Sequence, residues 1–361
     1  MHIPDGYLSP STCAVAYAAA VPFWYVALKR VQRLLQSRLV PVLAVVSAFC
    51  FVIMMFNLPI PGGTTAHAVG IGVAVVVLGP SAAILAISIA LMIQALFFGD
   101  GGVTTYGANC LNMAIVGPLV AYVCYRLIAA RAPIEAPRRV VGAAIAGYVG
   151  INAAALLAAL EFGIQPLLFH DAGGAPLYAP YPLSVAVPAM MLAHLTMAGA
   201  AEAIITGGVV AYLQRANPDL LRSTAITSDV SPDLPAARGW YGVRQLWIGV
   251  GALMVLSPLG LIAAGIAWGE WGAEDFQDPA VRAQIAHASS NVAPPAHVPQ
   301  GLAHLSTIWH APMPNYVPAF MQSANLGYIL SAVVGTGLIV LVLSGLSWLL
   351  GRRPPSGAGQ A

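Results

Sequence analysis

Charge is scarce in this sequence. Only 8% of its 361 residues are Asp, Glu, Lys or Arg, 59% are hydrophobic, and the mean hydropathy is +0.80. A water-soluble domain carries roughly 25% charged residues, so the bulk of this chain belongs in lipid. Lysine is nearly missing: Lys29 stands alone. No phosphate loop ending in Gly-Lys-Ser/Thr can form, and the chain is no P-loop ATPase by itself. Cysteine is limited to Cys13, Cys50, Cys110 and Cys124, each in or beside an apolar run and none in a CxxC pair. That pattern fits small core residues rather than a metal clamp. HExxH is absent, and no spacing reads as a Ser-His-Asp set. With a net charge of +2 and no basic tract, nothing suggests nucleic acid. Neither Lys nor Arg precedes the first apolar run, so the start does not read as a secretory signal. Met1 is expected to stay on the mature protein, because methionine is removed mainly ahead of a small residue and His2 is not small.

What the chain does have is long apolar runs. Read as membrane spans of about 17–25 residues, they fall near 8–28, 40–56, 64–79, 81–98, 110–128, 140–161, 184–212, 245–267 and 325–350. The third and fourth are short and joined by "GPS", which predicts a tight helical hairpin. The fold class is an all-α polytopic membrane bundle of about seven spans plus a two-span carboxyl-terminal appendage. Residues 1–213 form the core and 214–244 a polar, Pro-containing cytoplasmic linker. Residues 245–361 form the appendage, with an outer loop at about 269–322.

The cations set an orientation. Lys29, Arg30, Arg33, Arg38, Arg126, Arg131, Arg138, Arg139, Arg215, Arg222, Arg238, Arg244, Arg352 and Arg353 fall on one side if the amino terminus is outside and there are nine crossings; only Arg282 does not. This positive-inside asymmetry predicts an extracytoplasmic amino terminus and a cytoplasmic carboxyl terminus in the cell membrane. None of the eight histidines falls on the cationic side.

"MHIPDGYLSP" then stands out. The Met1 amine, the His2 amide nitrogen and the His2 ring can close two fused chelate rings on one metal. Such a nitrogen set suits Ni(II) or Cu(II), and Co(II) less well. His67, in "PGGTTAHAVG" at the same face, is the candidate fourth nitrogen. Taken singly, a boundary histidine is ordinarily a packed residue; the pair on one side makes the case. In "FGDGGVTTYGANCLNMA", Asp100, Asn109 and Asn112 are candidates for orienting the ligands, or for satisfying loop backbone alone. His194 and Glu202, eight apart in the seventh run, share a face and read as a supporting pair rather than as ligands. The histidines of the outer loop (His287, His297, His304 and His310) fit no metal spacing and predict a flexible, solvated connector.

"MHIPDGYLSP", "GGTTAHAVG", "ALFFGDGGVTTYGANCLNMA" and "AHLTMAGAAEAIITGGVVAYL" resemble the substrate-binding membrane component of nickel/cobalt energy-coupling-factor transporters, over about residues 1–213. The remainder, with "SPLGLIAAGIAWGEWG", looks like the small two-span accessory protein of these systems fused at the carboxyl end. The resemblance implies a transported Ni(II) or Co(II) held by Met1, His2 and His67, with no organic cofactor. It also implies a transmembrane coupling subunit and two cytoplasmic ATPase subunits as partners, and no catalytic residue in this chain. "PDG" after His2 looks like the nickel type. Two other classes stay open at this point: a membrane metallohydrolase using His194 and Glu202, and a permease working alone.

Overall fold

In lipid every main-chain N–H and C=O must find its partner inside the protein, so long apolar runs become helices. The computed structural model of the chain describes residues 1–35, 40–129, 131–224, 243–263 and 265–351. In chain order its helices are α1 (Pro10–Leu35), α2 (Val40–Met54), α3 (Ile71–Leu78), α4 (Pro80–Phe98), α5 (Tyr106–Ala129), α6 (Pro137–Leu168), α7 (Leu183–Ala216), α8 (Arg244–Ile262), α9 (Pro279–Ala288), α10 (Gln300–Leu305) and α11 (Ala324–Gly351). Among the described residues seven helices are long and apolar enough to cross a membrane, all but α2, α3, α9 and α10. The all-α polytopic bundle expected from the sequence is what forms. Arg38, Arg238, Arg352, Arg353 and most of the 214–244 segment lie outside the described residues.

The run at 64–79 departs from a simple span. Its first part pairs as an antiparallel hairpin, β1 (Leu58–Ile60) with β2 (Thr64–Ala66), Leu58 facing Ala66. The helix starts only after Gly70, whose φ of +83° suits glycine and resists other residues. Eight residues of α3 rise about 12 Å, less than half of a hydrocarbon core of about 30 Å. Apolarity signals burial here rather than length: Ile71–Val77 are all buried inside the protein. Irregular backbone survives at this depth because protein, not lipid, surrounds it. The hairpin read from "GPS" is present. Gly79 (φ +74°) turns the chain and Pro80 opens α4, where its missing N–H costs nothing.

Three π-helical turns interrupt the long helices, at Gln94–Phe98 in α4, Cys110–Val116 in α5 and His194–Ala198 in α7. Each lies beside or contains one of the polar residues that matter below, and a π turn re-aims side chains within a helix. Successive helices alternate in direction. The first nine residues and the connections after α2, α4, α6 and α8 therefore share one end. Lys29, Arg30, Arg126, Arg131, Arg138, Arg215 and Arg244 lie at the other, where Gln214 Nε2 donates to the Ile134 and Ala136 carbonyls. Arg139 is fully buried there, donating to the Ala132 carbonyl and the Tyr125 hydroxyl.

Candidate metal site

The first nine residues are not a tail. Met1, His2, Ile3, Tyr7 and Leu8 are all buried, and a buried extended segment needs partners for its amide groups. Asn109 supplies two for Ile3: its Oδ1 accepts from Ile3 N at 2.8 Å and its Nδ2 donates to Ile3 O at 3.0 Å. Thr105 Oγ1 and Gly102 N also donate to that carbonyl. Asp5 gathers the N–H groups of Val103 and Thr104 at 3.0 and 2.7 Å, and the Thr104 hydroxyl as well. Gly6 (φ +90°) turns the chain so tightly against α10 that a Cβ there would lie 2.7 Å from Leu302 Cα. Ile3, Asp5 and Gly6 are thus the clamp that holds residues 1 and 2 in place.

That clamp brings His2 to His67. His2 Nδ1 and His67 Nε2 are 3.3 Å apart, with ring centroids 5.0 Å apart. Two metal–nitrogen bonds of about 2 Å meeting at a right angle span about 2.8 Å, so a small relaxation closes this pair on one ion. The hydrogen-bond network assigns the tautomer of His67. His67 Nδ1 donates to the Ala68 carbonyl at 3.0 Å, leaving Nε2 as a lone pair. Gln94 Nε2 donates to Tyr316 Oη and Asp100 Oδ2, which turns Gln94 Oε1 toward His2 Nε2 at 3.3 Å. His2 Nε2 thus faces the Gln94 amide oxygen, while its Nδ1 faces the His67 ring. Asp100 Oδ1 lies 3.0 Å from that Nδ1. Tyr316 donates to Asp100 Oδ2, stacks on Phe98 and holds the carboxyl in place.

Burial and the nearby amino terminus push His2 down to about 4 and His67 well below its ordinary value. Both rings are neutral at pH 7, as metal ligands must be. Burial pushes the Asp100 carboxyl up. Met1 N and His2 N both face one oxygen, Glu270 Oε1, at 3.2 and 3.1 Å. Among the described residues no group of three or more His, Cys, Asp or Glu side chains is arranged to hold a metal. A set with two main-chain nitrogens and two rings is of a different kind.

The supporting residues separate. Asp100 and Asn109 reach the His2 segment. Asn112 does not; its Nδ2 donates to Glu161 Oε2 at 2.7 Å, inside the bundle. His194 and Glu202 make no hydrogen bond to each other. His194 Nδ1 donates to the Met190 carbonyl at 2.8 Å, and its Nε2 has no hydrogen-bond partner among the described residues. Glu202, fully buried, accepts from the N–H groups of Val69, Gly70 and Gly72 at 2.9, 2.9 and 3.0 Å. It caps the start of α3 and fixes the backbone two residues beyond His67. The reason is geometric: eight residues apart on a helix interrupted by a π turn, the two side chains need not share a face.

The outer loop is not a flexible connector. Trp268, Trp271 and Phe276 pack in its core, and Arg282 staples three carbonyls, those of Phe276, Pro294 and Pro295. It sits on the first nine residues and on the end of α4: Tyr7 Oη donates to Trp271 O, Trp309 Nε1 to Leu96 O, and Met313 N to Phe97 O. Of its histidines, His287 Nδ1 donates to Gly62 O at 3.2 Å and His304 and His310 are exposed.

Gln94, Tyr316 and Glu270 are the residues that sequence reading missed. Gln94 carried a usable signal, an amide inside an apolar run; Tyr316 and Glu270 reach the site only through tertiary structure. Known proteins resemble this chain in sequence. A fused nickel transport protein of Rhodobacter capsulatus is 63% identical over 340 residues, covering 94% of this chain and 95% of its own length. A probable fused nickel transport protein of Lactiplantibacillus plantarum is 42% identical over 348 residues, 96% of this chain and 97% of its own. A crystal structure of a truncated transition metal transporter is 57% identical, covering 59% of this chain and 98% of that chain, with a TM-score of 0.55. Residues 243–352 match the PDGLE domain. Residues 2–220 match the cobalt uptake substrate-specific transmembrane region, and the chain belongs to that family.

Proposed function

We propose that this chain captures Ni(II) at the extracytoplasmic face for ATP-driven uptake. The Met1 amine, the His2 amide nitrogen, His2 Nδ1 and His67 Nε2 form a four-nitrogen plane around the ion. The observation that carries this reading is the 3.3 Å approach of His2 Nδ1 and His67 Nε2, with Met1 N and His2 N both turned to one oxygen, Glu270 Oε1. A plane of four nitrogens is the geometry that Ni(II) favours. The 63% and 42% identical relatives named for nickel support nickel over cobalt.

Asp100, Asn109 and Gln94 orient the donors. The chain supplies no ATPase motif, so the energy comes from partners: a transmembrane coupling subunit and two cytoplasmic ATPase subunits. The amino terminus and the cap formed by residues 265–323 face outward, and the cationic end faces the cytoplasm, in keeping with the positive-inside rule. The core at 1–213 binds the metal, 214–244 is a cytoplasmic linker, and 245–361 carries the cap.

Co(II) is the second reading, favoured by the family description itself. Purified chain with its native amino terminus, titrated with Ni(II) and with Co(II), separates the two metals. His2→Ala and His67→Ala are each expected to abolish one-to-one binding. Stoichiometric binding in both variants would sink this site.

A further inference from the structure

We propose that Glu270, from the fused carboxyl-terminal segment, is a positioning residue that holds Met1 N and His2 N in their chelating arrangement until the metal displaces it. This inference rests on the four-nitrogen site proposed above.

The geometry is specific. A single oxygen, Glu270 Oε1, lies 3.2 Å from Met1 N and 3.1 Å from His2 N. One acceptor can serve the nitrogens of consecutive residues only if both turn to the same side of the Met1 Cα–C bond. A five-membered chelate ring requires that same turn. The carboxylate therefore stands where it selects the metal-ready conformation from those open to a chain terminus, and pre-organisation of this kind raises affinity by reducing the entropy lost on binding.

Glu270 is itself held firmly. Its N–H donates to the Ala267 carbonyl at 3.0 Å. Gly269 before it (φ +84°) packs so closely on Phe162 that a Cβ would lie 2.9 Å from the ring. Trp271 after it is buried among Tyr181, Trp268 and Phe276 and accepts the Tyr7 hydroxyl at 2.8 Å. The Met1 side chain is fully enclosed, whereas the Glu270 side chain is 21% exposed. The carboxylate thus sits at the rim of the site, where a cation arriving from solvent meets a negative charge first.

The arrangement is also exchangeable. Coordination breaks the amide N–H bond of His2 and one N–H bond of the Met1 ammonium, both protons passing to water, so carboxylate and metal cannot share the amide nitrogen. Metal uptake and release of Glu270 are one event. The appendage then contributes to loading as well as to covering the site.

The test uses the full chain with its native amino terminus, Ni(II) itself as the probe, a competing chelator for affinity and stopped-flow absorbance for rate. E270A is expected to weaken Ni(II) binding about 10- to 100-fold, the usual loss when a residue supporting metal ligands is removed. It is expected to slow association too, with the absorption bands of the saturated site unchanged. E270Q keeps an acceptor oxygen and is expected to lose less. Wild-type affinity and rate in E270A, or tighter binding, would overturn the inference; altered bands at saturation would make Glu270 a ligand instead and overturn it equally. W309F loosens the cap at Leu96 without touching the amine. If W309F matches E270A, cap docking explains the effect and the inference falls. His67→Ala in the same assay tells the failures apart: full binding there removes the donor set, whatever Glu270 does.

Discussion

Glu202 and Glu270 each collect main-chain N–H groups on one carboxylate, and the two differ in what else those groups could hold. Glu202 accepts from Val69, Gly70 and Gly72 at the start of α3. Glu270 accepts from Met1 and His2 at the start of the chain. The α3 site is sealed: Glu202 is fully buried on a neighbouring helix, and a helix start offers N–H groups and positive dipole that favour a carboxylate permanently. The chain-start site lies at a rim, and in the proposed function its nitrogens also chelate the metal. The same bonding motif therefore serves as a fixed support in one region and, on our reading, as a placeholder in the other. The fixed one holds the backbone beneath His67; the exchangeable one holds the partner nitrogens across from it.

That contrast can be broken at its fixed side first. Glu202→Ala leaves three buried N–H groups without an acceptor, at about 1–3 kcal/mol each, so destabilisation of about 3–9 kcal/mol is expected. Thermal unfolding in detergent measures it, and Glu202→Gln, which retains acceptor capacity, should unfold closer to wild type. An unchanged midpoint in Glu202→Ala would remove the support role. At the exchangeable side, adding Gly-Ser before Met1 converts the amine to an amide. Ni(II) affinity should fall on the order of 1,000-fold, about 4 kcal/mol, measured by chelator competition.

Smaller effects sharpen the comparison. Asn109→Ala removes both side-chain bonds to Ile3, and the freed first residues should cost about 10- to 100-fold in Ni(II) affinity. Tyr316→Phe keeps the stacked ring but deprives Asp100 and Gln94 of one hydroxyl; a loss of about 10-fold is expected in the same titration. His287→Ala, exposed and bonded only to the Gly62 carbonyl, should leave stability within about 0.5 kcal/mol and uptake at limiting nickel unchanged. Reduced uptake there would give the outer-loop histidines a part in metal delivery.

Much of the site could be read from sequence, for a physical reason. Met1 and His2 are adjacent, so their chelating power is local chemistry, and His67 joins them once span parity puts both at one end. Asn109 and Asp100 stood out as polar groups in a loop between apolar runs. Asn112 looked equivalent to Asn109 by helical spacing, but the π turn at Cys110–Val116 changes the register and sends it to Glu161. Hydropathy also could not distinguish a helix that spans lipid from one wrapped in protein, which is why the run at 64–79 reads as a span and folds as a hairpin plus two turns of helix.

By itself the sequence determined that this is a helical membrane protein, which end carries the cations, and which nitrogens could meet a metal. Those properties follow from transfer free energy and from bonds between neighbouring residues, both nearly independent of packing. Only the tertiary structure decided that His2 Nδ1 stands 3.3 Å from His67 Nε2, that Glu202 supports α3 rather than His194, and that Glu270 reaches back 269 residues to Met1. Such contacts depend on how helices pack side by side, and helical periodicity and hydropathy say which face is buried without saying against what.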